Sequence, residues 1–87
     1  MKILIIDGQG GGLGRQLVTA VKEQYPEIEV LAVGTNSAAT NAMLRAGADR
    51  AATGENSVVV ASGQADLIMG PLGMVIADSM LAEITPH

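Results

Sequence analysis

An α/β fold in three layers is predicted for this chain, with a four-stranded parallel sheet in the order 3-2-1-4. Three observations predict it. Short apolar runs alternate with stretches of helical periodicity, the arrangement that buries a parallel sheet between helices. The runs Ile3–Ile6 and Ile28–Val33 are apolar without polar alternation, as in strands covered on both faces. Finally, Gly8, Gly10, Gly11, Gly12 and Gly14 crowd into the junction between the first such run and the first helical pattern.

Each element follows from its residues. Ile3–Ile6 is the first strand. Leu13, Leu17, Val18 and Val21 then recur at helical spacing, with Arg15, Gln16, Lys22 and Glu23 on the other side. Tyr25-Pro26 ends that helix, because a residue before proline avoids helical angles. "IEVLAV" (28–33) is the second strand. Ser37 is expected to cap a helix over Ala38–Ala46, and Gly47 stands where a helix C′ glycine belongs. "DRAATG" (49–54) supplies a short third strand. "ENSVVVAS" (55–62) has the valines of a strand, yet "ADLIMG" (65–70) is the better strand, and parallel neighbours need a crossover. A crossover helix over 55–62 is therefore expected, with an antiparallel hairpin through Gly63-Gln64 as the competing arrangement. After Gly70-Pro71-Leu72-Gly73 the chain is expected to enter a last helix, with Ile76, Ala77, Met80, Leu81 and Ile84 on one stripe. No linker or repeat divides residues 1–87, so a single domain is expected.

Composition narrows the function. The 87 residues carry a net charge of −4 with only five lysines and arginines, which argues against a nucleic-acid surface. The apolar run of the first strand is too short for a membrane span or a signal-peptide core, so a cytoplasmic protein without membrane attachment is expected. There is no cysteine, and the single histidine, His87, is terminal. No metal site is expected, and no Ser/His/Asp set can be assembled.

The glycine loop is the candidate site. Ligands in such sheets sit beyond the carboxyl ends of the strands, where backbone N–H groups and a helix N-terminus favour negative charge. The expected contacts are Gly8, Gly10, Gly11, Gly12, Leu13 and Gly14, with Thr35, Asn36 and Ser37 placed to reach a ribose or a 2′-phosphate. Gly70 and Pro71 would form a second wall. Packing alone could account for some glycines, since a bare backbone lets helix and strand approach closely. Asp7, next to the loop, is expected to cap it, because a free carboxylate there would repel a phosphate. A catalytic or metal role for Asp7 is the lesser alternative.

Gly8, Gly12 and Gly14 form G-x-x-x-G-x-G, which resembles the cofactor loop of the short-chain dehydrogenase/reductases over about the first 40 residues. That resemblance implies NAD(P) or another nucleotide as ligand. The Tyr-x-x-x-Lys pair of that family is missing: Tyr25 precedes a proline and has no lysine after it. No Asp or Glu ends the second strand to take a ribose diol. Over the whole chain, "IDGQGGGLGRQ", "AVGTNSAATNAMLRAGAD", "ATGEN" and "GPLGMVIADSMLAEITP" resemble a family of small bacterial proteins catalogued only as a domain of unknown function. The resemblance implies a Rossmann-like fold and no established activity. It also implies that the chain continues past Thr85-Pro86 in other members, so a C-terminal truncation is expected.

These readings converge on a nucleotide- or dinucleotide-binding module whose glycine-rich loop cradles a phosphate. An oxidoreductase-like enzyme completed by a partner or a missing segment, through Asp7, Asn36 or Glu55, is the first alternative. A ligand-free interaction protein is the second. A homodimer is expected as well: a core without Phe or Trp, 48% of the chain being hydrophobic, needs more cover than one small domain supplies. The last helix is its expected contact surface.

Overall fold

The computed structural model describes residues 1–8, 10–71 and 73–76. In chain order the elements are β1 (Lys2–Asp7), α1 (Gly12–Gln24), β2 (Glu29–Gly34), α2 (Ser37–Arg45), β3 (Arg50–Thr53), α3 (Glu55–Ser62), β4 (Leu67–Gly70) and β5 (Gly73–Ile76). One sheet runs β3-β2-β1-β4-β5. Its first four members are parallel, in the expected order, and β5 is antiparallel to β4.

The pleat divides the apolar runs between two cores. Ile3, Ile5, Val30 and Ala32 face α1 and α2, where Val18, Val21 and Met43 close over them. Leu4, Leu31 and Val33 point the other way and pack beneath Val58 and Ala61 of α3. Two-sided burial is why β1 and β2 show no polar alternation. Leu4, Ile5, Val18, Val30, Val33 and Met43 are fully buried, and each contributes on the order of 1.5–3 kcal/mol. Chain direction explains the helix placement. From β1 to β3 the chain steps one way across the sheet; from β3 to β4 it steps back over β2 and β1. A right-handed crossover then puts α3 on the face opposite α1 and α2.

Two polar clamps hold the amino ends of the strands. Lys22 Nζ donates to the carbonyls of Pro26 and Ile28 and pairs with Asp49 at 2.9 Å, while the Val30 amide donates to the same carboxylate oxygen at 2.8 Å. These bonds hold the Asp49 carboxyl below its ordinary pKa, the Val30 amide first and Lys22 second. Asp66 accepts from the Lys2 amide and ties β4 to β1.

Two expectations change. The cap of α2 is Asn36, whose Oδ1 accepts from the Ala39 amide at 2.9 Å; Ser37 is the first helical residue. The chain after Gly73 is a strand and not the start of a helix. Gly70 pairs with Gly73 across a two-residue connection, and Met74, Val75 and Ile76 fall in register with Met69, Ile68 and Leu67. The reason is the edge that β4 leaves beside β1: a tight turn is enough to bring the next segment back along it as an antiparallel partner, whereas a helix would leave that edge's backbone groups unpaired. The sheet therefore has five strands, the expected four parallel ones plus this hairpin partner. The expected stripe Ala77, Met80, Leu81, Ile84 lies outside the described residues. Where the sequence left helix and hairpin both open for 55–62, the chain forms the helix, and Gly47 takes a positive φ of 117° at the end of α2 as expected.

Candidate functional site

At the carboxyl ends of the strands, the loop after β1 meets the start of α2 and the end of β4. The Thr35 amide donates to the Asp7 carbonyl at 3.0 Å. A Cβ at Gly8 would lie 2.9 Å from Thr35 Oγ1, and one at Gly70 would lie 3.3 Å from the Ile6 carbonyl oxygen. The glycine loop, Thr35 and Gly70 thus sit together where the chain direction reverses between β1 and β4, the position at which open α/β sheets hold ligands.

The five loop glycines do different work. Gly11 takes a left-handed φ of 77°, and a Cβ there would lie 2.8 Å from Ala39 Cα and 2.9 Å from the Ala39 carbonyl oxygen. It lets the loop touch α2. Gly14 lets α1 settle on β1: a Cβ would lie 2.6 Å from Met43 Sδ and 2.7 Å from Asp7 Cβ. Gly10 and Gly12 are different. Both are exposed, and a Cβ at either would meet nothing within 4 Å. Neither packing nor a positive φ requires glycine there.

Asp7 is buried, and its carboxylate accepts from the amides of Gly8 at 2.8 Å and Gly14 at 2.5 Å. Gly14 is the third residue of α1, whose amide a cap side chain ordinarily takes. The N-cap itself is Gly11, with no side chain to offer, so the strand supplies the cap. Asp7 is thereby a structural acceptor, as its position next to the loop suggested. The amides of Gly12 and Leu13, in the same first turn, have no acceptor within the helix and lie on its exposed end.

The other expected contacts divide. Thr35 and Ser37 are exposed, and their hydroxyls make no hydrogen bond with other described residues. The Asn36 side chain is occupied as the cap of α2. Its carbonyl and the Thr53 hydroxyl hold Thr40 Oγ1, at 3.1 and 2.7 Å, a partly buried network that closes α2 onto β3. Gly70 is half-buried beside β1, and Pro71 lies exposed in the β4–β5 connection, so no helix N-terminus follows them as expected. Among the described residues no group of three or more His, Cys, Asp or Glu is placed to hold a metal.

A cleft of about 380 Å³ lies elsewhere, on the α3 face of the sheet. Leu31 and Val33 form its floor, Ala52 and Arg50 of β3 one side, and Val60 of α3 with Gln64 just beyond the helix the other. None of the expected site residues lines it. Its signal in the sequence is Val58-Val59-Val60: consecutive helical residues point about 100° apart, so one sheet face cannot bury all three.

The architecture defines a Rossmann-like α/β domain with a glycine-rich loop at the switch point of its sheet. The model of the family described as "Domain of unknown function (DUF3842)" matches residues 2–87, and the chain belongs to that family. No curated protein matches the chain, and no solved structure does. No helix among the described residues is long and apolar enough to cross a membrane.

Proposed function

We propose that the protein is a cytoplasmic nucleotide- or dinucleotide-binding module, working as a homodimer. The phosphate of NAD(P) or another nucleotide rests over Gly10, Gly12 and Leu13. The observation that carries this reading is the contrast within the loop. Gly11 and Gly14 are accounted for by close packing, whereas Gly10 and Gly12 open onto free space in front of the first turn of α1. A bare backbone at those two positions lets an anion approach the Gly12 and Leu13 amides at the positive end of the helix. The Asp7 carboxylate, already engaged by two amides, faces inward and leaves that approach open. Thr35 and Ser37 supply hydroxyls for a ribose or a 2′-phosphate.

Half of a dinucleotide fold offers few contacts, so a mononucleotide binds at high micromolar to millimolar concentration, about −4 to −6 kcal/mol. Amide NMR spectra recorded with inorganic phosphate, AMP, NAD and NADP test the reading. The amides of Gly10, Gly12 and Leu13 shift first, and Gly12→Val removes the response while the fold persists. No shift of these amides at about 10 mM ligand, or binding unchanged in Gly12→Val, ends the proposal.

A further inference from the structure

We propose that the cleft between α3 and β3 is where a second copy of this chain docks, an inference that rests on the homodimer reading above and gives it a surface. The apolar residues of α3, Val58 to Ala61, point in all directions around a helix that also carries Glu55, Asn56, Ser57 and Ser62, and none of them is fully buried. Val58 and Ala61 lean on the sheet, while Val59 and Val60 are 73% and 64% exposed. Apolar side chains that leave a helix in several directions cannot all be buried against one sheet face. Here one flank of α3 borders open space above Leu31, Val33 and Ala52.

Three features select a copy of this chain as the occupant. First, an apolar ridge and an apolar hole lie side by side on one face, which is the requirement for an isologous contact, each ridge entering the other subunit's hole. Second, among the described residues β3 ends the sheet, so no further strand pairs with its outer edge. Antiparallel pairing of β3 with its copy about a twofold axis continues the sheet and brings both α3 helices to the same side. Third, charges match in that arrangement. Arg50 begins β3 and Glu55 follows its end, so reversing one strand sets Arg50 near Glu55 of the partner subunit. Arg50 is held only by a half-exposed pair with Glu29 at 3.1 Å, and Glu55 has no ion pair among the described residues.

The absence of cysteine makes the test clean. Ala52→Cys places one thiol on β3 beside the proposed axis, and a short bismaleimide links two such thiols only if they face each other. Light scattering after size exclusion gives a mass of two subunits, the linker yields a covalent dimer, and Val60→Lys weakens association by about tenfold or more. Both substitutions fall on exposed positions, and circular dichroism melts confirm that each variant stays folded. A one-subunit mass at high micromolar protein overturns the homodimer reading and this surface together, as when residues 77–87 of the same chain cover the cleft. A two-subunit mass with no cross-link and no effect of Val60→Lys overturns the surface alone.

Discussion

Alanine at Gly11 and at Gly12, adjacent in one loop, should change stability in opposite directions. At Gly11 the backbone is left-handed, which costs an L-residue about 1–2 kcal/mol. The new Cβ would also lie 2.8 Å from Ala39 Cα and 2.9 Å from its carbonyl oxygen, atoms of the α2 backbone that cannot step aside alone. Overpacking of that kind adds about 1–3 kcal/mol. At Gly12 the backbone is helical and a Cβ meets nothing within 4 Å. Alanine there removes freedom from the unfolded chain and stabilises by about 0.4–1 kcal/mol. In a domain of this size 1 kcal/mol moves the midpoint by about 4–8 °C. Gly11→Ala should therefore lower Tm by roughly 10 °C or more, and Gly12→Ala should raise it by a few degrees. Thermal melts followed by far-UV circular dichroism measure both. Equal losses at the two positions would refute the division of the loop into packing glycines and open ones, and with it the argument for a ligand over Gly12.

Other substitutions test the remaining contacts. Asp7→Asn puts an amide donor against the Gly8 or Gly14 N–H and should cost about 1–3 kcal/mol, read from urea denaturation; unchanged stability would remove Asp7 as the cap of α1. Asn36→Ala leaves the Ala39 amide without its acceptor and should cost about 1 kcal/mol, whereas Ser37→Ala should cost little. For Asp49, the folded-state pKa lies below the unfolded one, so its contribution is complete above the unfolded value and disappears as pH falls through the folded one. Denaturation at pH 7 and pH 3 should show a smaller acid loss in Asp49→Asn than in the parent; identical losses would contradict the Val30 and Lys22 contacts. Because the Lys22–Asp49 pair is partly exposed, added salt should weaken its contribution.

Much of the frame was readable from residue order. Ile3–Ile6 and Ile28–Val33 identify strands buried on both faces because unbroken apolar runs have no solvent side. Gly47 marked the end of α2 for a stereochemical reason that acts within a few residues. The loop glycines located the candidate site because no other residue type crowds that way between a strand and a helix. Asp7 was legible too: a carboxylate beside a helix N-terminus has amides to accept from.

Other features depended on atoms distant in the chain. Asn36 and Ser37 are both good caps, and the choice between them was made by where β2 ends, with Gly34 pressed against Thr40. "GMVI" suits a helix stripe or a strand equally well, and the free edge of β4 made it β5. Which loop glycines are needed for packing could not be read locally, since Ala39 and Met43, the neighbours that crowd Gly11 and Gly14, are brought there only by α2. The cleft beside α3 belongs to the same class. Val60 is one of three consecutive valines, and only the position of β3 leaves it beside open space. Local stereochemistry and hydrophobic periodicity are written in neighbouring residues. Contact, exposure and the choice between equal local options are decided when the sheet brings distant residues together.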